Sequence, residues 1–125
     1  MNYKVNFQKA KRNYMVLTFD DVEDGKQIEK TILVGMPKKK IFDMLMDLQD
    51  TIKLNGEPED EKEKSQRNRQ IIDEVYELVS VILSNNMAGE KITVDWVSEQ
   101  MEFGEMKEFL AMYVRFCKGE AAAPN

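Results

Sequence analysis

The apolar residues of this chain change their spacing once, at Gly35-Met36-Pro37, and that switch governs what it can fold into. Upstream, the runs YMVLTF (residues 14–19) and QIEKTILV (residues 27–34) are rich in β-branched and aromatic side chains, which suit a pleated surface. Between them lies DDVEDGK. Its Asp24-Gly25 pair tolerates the positive backbone dihedrals of a tight turn, so the two runs are expected to fold back as an antiparallel hairpin. The two-residue repeat sets Met15, Leu17 and Phe19 on one face and Tyr14, Val16 and Thr18 on the other. YKVNF at residues 3–7 offers a third strand.

Beyond the switch the spacing becomes helical, and Pro37 suits a first helical turn. Ile41, Met44, Leu45, Leu48 and Ile52 form a stripe that ends at Asn55-Gly56. At about 1.5–3 kcal/mol per fully buried side chain, such a stripe contributes on the order of 10 kcal/mol before entropy is counted. GEPEDEKEKSQ (residues 56–66) is charged, free of apolar anchors and broken by Pro58, and reads as an exposed loop. A second helix is expected from about Arg67 to Leu83, with Ile71, Val75, Leu78, Val79 and Ile82 on one side. Ile72, Tyr76 and Leu83 widen that stripe to nearly half the circumference, and Val81 lies on its other flank. Such breadth requires cover from more than one element, or from another chain. Asn85-Asn86 ends this helix, Gly89 marks a loop, and Thr93 can cap a short helix bearing Val94, Val97 and Met101. Phe103-Gly104 is expected to bend the chain into a last helix from Glu105 to about Cys117, with Met106, Phe109, Leu110, Tyr113, Val114 and Cys117 inward. The fold class that follows is α+β: a hairpin of two or three strands, then a mainly helical bundle of about four helices. One domain is expected over residues 1–125, with a hairpin region at 1–36, helices at 37–117 and an unanchored tail at 118–125.

Chemistry is scarce. Histidine is absent, which removes the commonest general base and metal ligand near neutral pH, and the single Cys117 has neither a His nor a CxxC partner. It reads as a small core hydrophobe. The carboxylates at Asp20-Asp21 with Glu23-Asp24 and at Glu57-Pro-Glu59-Asp60-Glu61 lack the register of a calcium loop, and the six glycines are too scattered to cradle phosphate. No catalytic residue, cofactor site or metal site is therefore expected. A net charge of −5 disfavours nucleic acid and anionic lipid. The basic segment from Lys4 to Arg12 reads as solvated surface, since nothing continues the patch. No apolar run approaches the roughly 18 residues of a membrane span, and Met1 leads into a mixed polar segment, so a cytosolic protein without a membrane partner is expected.

What remains is surface for other polypeptides. Nine methionines are many for this length, and thioethers adapt to irregular surfaces while Trp and Phe anchor binding energy. Met46 lies off the stripe of its helix and reads as core. Trp96 and Phe116 read equally as anchors and as core, and Met112 shares a flank with Phe116. The candidate partner-binding residues are Trp96, Met101, Phe103, Met112 and Phe116.

Two stretches, TILVGMPKKKIFDMLMDLQDTI (residues 31–52) and ITVDWVSEQMEFGEMKEFLAMYVRF (residues 92–116), resemble the tail assembly chaperones of long-tailed bacteriophages and prophages of Gram-positive hosts. The second carries more weight: Val94-Asp95-Trp96 heads a short helix, and Phe103-Gly104-Glu105 opens an aromatic-rich one. With the intervening helix the likeness spans most of the chain, as a pattern of elements rather than a strict motif. The resemblance implies a protein that binds the long, coiled tape measure protein in the host bacterial cytoplasm, keeps it soluble, helps recruit tail tube subunits and is absent from the mature virion. It also implies a longer form, made by ribosomal frameshifting, whose extra segment binds the tail tube protein; KGEAAAPN suits such a junction. Self-association into rings or helical arrays is expected from the broad stripe of the second helix and from the avidity that several copies gain on one long client. Two rival readings stand beside it: a small head-tail or tail connector retained in the virion, and a cytosolic regulator such as an inhibitor or an acidic DNA mimic.

Overall fold

The computed structural model describes residues 13–54 and 61–119. Strands β1 (Tyr14–Glu23) and β2 (Lys26–Gly35) pair antiparallel without interruption, from Tyr14 opposite Gly35 to Glu23 opposite Lys26. Asp24 and Gly25 turn the chain at φ 52° and 76°, the left-handed pair that a two-residue hairpin loop requires. The register puts Met15, Leu17 and Phe19 over the core beside buried Ile32 and Val34. Val16 and Val22 face outward and are exposed.

Four helices follow, which makes the fold α+β: α1 (Lys39–Leu54), α2 (Glu61–Ser84), α3 (Val94–Gln100) and α4 (Phe103–Cys117). Helix α2 is the hub, packing against α1, α3, α4 and β2. Its Val75, Leu78, Val79, Ile82 and Leu83 are buried. Ile41 and Leu48 of α1, Val97 of α3, and Met106, Phe109 and Tyr113 of α4 close around them. The segment after α2 ties the hairpin down. Gly35 N–H donates to the Asn85 carbonyl at 2.9 Å, Met87 N–H donates to the Leu33 carbonyl at 2.9 Å, and Lys30 Nζ pairs with Glu90 at 2.7 Å.

Three boundaries differ from the sequence expectation. Helix α2 begins at Glu61, so EKEKSQ is its opening rather than loop. Glu, Lys and Gln are good helix formers, and Glu61 and Glu63 sit favourably at the positive end of the helix dipole. Its residues 61–66 are nonetheless all exposed, so the expected solvation holds while the backbone state does not. Helix α4 begins at Phe103, because Glu102 and Glu105 form a reciprocal capping box and Gly104 lies inside the first turn. Pro37 precedes α1, whose first carbonyl acceptor is that of Lys38, so it rigidifies the entry instead of the first turn. The third-strand segment at 3–7, the basic stretch at 4–12, the stop at Asn55-Gly56, Pro58 and the end of the tail lie outside the described residues.

Candidate functional site

Helices α1 and α4 both pack on α2, and between them lies an apolar cleft of about 650 Å³. Its origin is legible residue by residue. The α1 stripe was expected to be buried throughout, but only Ile41 and Leu48 are; Ile52 is 50% exposed, and the burial free energy of the full stripe is not realised. On α2 the surplus breadth of the stripe lies uncovered at Ile72, which is 40% exposed. Leu45, Leu48, Gln49 and Ile52 make one wall. Asn68, Ile71, Ile72 and Val75 make the floor, and Phe103, Lys107, Leu110, Ala111 and Val114 make the far wall. At about 1.5 Å of rise per residue, the walls run roughly 10 to 16 Å, two to three helical turns.

The polar groups of the cleft are few. Gln49 and Asn68 are neutral, and Lys107 carries the charge. Its helical neighbours three and four residues away are Phe103, Gly104, Leu110 and Ala111, so its own helix offers no carboxylate. No ion pair to Lys107 forms among the described residues. Elsewhere, Lys39 is held by Asp43 at 2.7 Å, which raises the pKa of the ammonium. Among the described residues no group of three or more acidic or thiol side chains is placed to hold a metal ion, and no helix is long and apolar enough to cross a membrane.

The five residues singled out from the sequence part company. Phe103 lines the cleft. Met112 is 44% exposed on another side of α4. Met101 and Phe116 are half-buried against the core, with the Phe116 ring 6.0 Å from that of Tyr113. Trp96 is used within the chain: its ring meets Phe19 edge-on at 5.0 Å, and its indole N–H donates to Asp21 at 3.1 Å. That hydrogen bond is the main cause of an Asp21 pKa held below the usual carboxylate value, followed by the Val22 N–H. Met46, read as core, is instead 59% exposed, because α1 turns that side to solvent beside exposed Phe42. Sequence reasoning missed Leu45 and Ile52 as site residues, assigning them to the core, and left Ile72 to be covered by a second element or by another chain. The signal that could have found them was the breadth of the α2 stripe, too wide for the helices available to cover it.

Cys117 is half-buried at the C-terminal end of α4, and burial raises its thiol pKa. It is far from a nucleophile's usual setting, which lowers the thiol pKa. The chain matches no family model, no curated protein and no solved structure.

Proposed function

We propose that this chain is a tail assembly chaperone of a long-tailed phage or prophage, which holds an apolar helical segment of the tape measure protein in the cleft between α1 and α4. The observation that carries this reading is the cleft itself: among the described residues, three helices present mostly aliphatic side chains around an open strip as long as two to three helical turns. Aliphatic walls with few directional polar groups accept helices of varied sequence, which a client with a long, repetitive apolar surface demands. The net charge of −5 on this chain favours keeping such a complex in solution. Several copies along one client gain avidity from the shared chain, so self-association accompanies this role. In this reading the protein acts in the host cytoplasm without catalysis, leaves before the virion is complete, and reaches the tail tube protein through a longer frameshifted form.

Co-expression with a tape measure fragment of the same phage tests the proposal. The wild-type chain is expected to move the fragment from the pellet into the soluble fraction, and Ile52→Asp/Ile72→Asp, folded by circular dichroism, is expected to leave it in the pellet. A fragment that stays insoluble with the wild type, or is rescued equally by the variant, overturns the reading. Mass spectrometry of purified virions adds a separate check, since stoichiometric incorporation belongs to a connector and not to a chaperone.

A further inference from the structure

The cleft has a polarity of its own, opposite to that of the molecule around it. The chain carries a net charge of −5, yet among the described residues the charged side chain lining the cleft is a lysine. The acids of α1 stand elsewhere: Asp43 is paired with Lys39, Asp47 borders a separate hollow with Glu74 and Glu77, and Asp50 is exposed outside the lining of the cleft. Lys107 is exposed, so its ammonium stays hydrated in the free protein while its alkyl stem extends the apolar wall. A carboxylate arriving at this rim meets a cation without the heavy desolvation cost of a buried pair.

The shape of the cleft selects the kind of molecule that brings the carboxylate. Ile52 and Ile72 keep half and two-fifths of their exposure, so the cleft is an open strip. A small ligand in a dedicated pocket typically has roughly 70–90% of its surface enclosed, which an open strip does not provide. A helix laid lengthwise instead contacts both walls and the floor through residues spaced three and four apart.

Building on the helix-in-cleft reading above, we infer that the cleft selects an amphipathic helix whose apolar face is flanked by a carboxylate, and that Lys107 pairs with that acid to set the direction in which the helix lies. Lys107 stands one turn from Phe103, toward one end of the α4 wall, so a helix inserted the other way round places its acid away from the ammonium. The pair acts at the rim, where charge governs encounter and orientation more than total affinity.

Fluorescence anisotropy with three labelled helical peptides tests this, using the full chain. The peptides share one apolar face and carry Glu, Gln or Lys at a single flanking position. The Glu peptide is expected to bind about three- to five-fold more tightly than the Gln peptide, and the Lys peptide more weakly than either. The order should collapse in about 0.5 M NaCl, where surface charges are screened. Lys107→Glu is expected to invert the order, whereas Arg115→Glu, an equal charge change outside the cleft lining, preserves it. Equal binding of all three peptides, or an order unchanged in Lys107→Glu, overturns the inference and leaves the helix-binding reading standing. Failure of every peptide to bind overturns both. A stable dimer that no peptide dissociates but Ile72→Asp does would assign the cleft to a second copy and likewise overturn the inference.

Discussion

Tyr113 shows how burial reshapes a side chain's response to pH. It is fully buried, its ring is flanked by Phe109 at 5.9 Å and Phe116 at 6.0 Å, and its hydroxyl donates to the Gly35 carbonyl at 3.2 Å. Burial pushes its ionisation well above the ordinary phenol value, with neighbouring Cys117 adding to the shift. In the unfolded chain the phenol ionises near pH 10. The folded state keeps the proton that the unfolded state sheds, so the contribution is intact below about pH 10 and is lost as pH rises further, at up to about 1.4 kcal/mol per pH unit. Cys117, also raised by burial, acts with the same sign from the ordinary thiol range upward. Urea unfolding between pH 8 and pH 11 is expected to show this alkaline loss, and Tyr113→Phe to lessen it while costing about 1 kcal/mol at neutral pH through the lost hydrogen bond. An undiminished alkaline slope in the variant would contradict the assignment. Asp21 works the other way. Its pKa is lowered chiefly by Trp96 and then by the Val22 N–H, and Gln100 Nε2 also donates to it at 3.2 Å. Its contribution is full above the unfolded value near 4 and fades as pH falls through the lower folded value. Trp96 is the sole tryptophan, so its emission reports the clasp: a red shift on acidification is expected in the wild type and its absence in Asp21→Asn. A wild-type spectrum flat down to the unfolding pH argues against the clasp.

Helix and strand identities were legible from spacing, and so was the start of α3, but the starts of α2 and α4 were not. The hairpin followed from Asp24-Gly25, whose left-handed dihedrals confirm the turn, and Thr93 caps α3 as its side chain suggested, accepting from Trp96 N–H at 3.1 Å. Glu102 gave no comparable warning. It is outside the usual N-cap residues, and its role appears only with its reciprocal partner, since Glu102 N–H donates to Glu105 Oε1 at 2.8 Å. The charged opening of α2 escaped for a related reason: without apolar residues there is no period to read, although each side chain favours a helix. Trp96 lay beyond any local rule, because its partners Phe19 and Asp21 come from the hairpin, more than seventy residues earlier. Replacing Thr93 by Ala is expected to cost about 1 kcal/mol in chemical denaturation. Glu102→Ala with Glu105→Ala should cost about as much, by removing both halves of the box. If either cost is below about 0.3 kcal/mol, that helix start is set by packing rather than by its cap.

At the scale of the whole molecule, folding and the proposed binding draw on the same apolar stripes, and exposure separates the two uses. Leu78, Val79, Ile82 and Leu83 of α2 and Ile41 and Leu48 of α1 are sealed by the surrounding elements, whereas Ile72 and Ile52 continue those two stripes into the open cleft. The candidate site was therefore only half legible: the excess of apolar residues on α2 announced a surface needing cover, but which members would remain open depended on where α1 and α4 end against it. Phe103, expected as a partner-binding residue, lines the cleft, while Leu45 and Ile52 across from it were read as core. The distinction predicts opposite energetics for chemically similar changes. Leu78→Ala removes a side chain that is 1% exposed and should destabilise the fold by about 2–5 kcal/mol, through lost transfer free energy and the cavity left behind. Ile52→Gln with Ile72→Gln replaces half-solvated side chains, so little buried area is lost and stability should change by less than about 1 kcal/mol. The same double variant should lose most of its binding to an apolar fluorescent probe and to an amphipathic helix, because the wall and floor those ligands need are no longer apolar. Denaturation and probe titration on both variants check the contrast. A large stability loss in the glutamine pair would mean that the cleft is filled by part of this chain in solution, and the surface would then belong to the core after all.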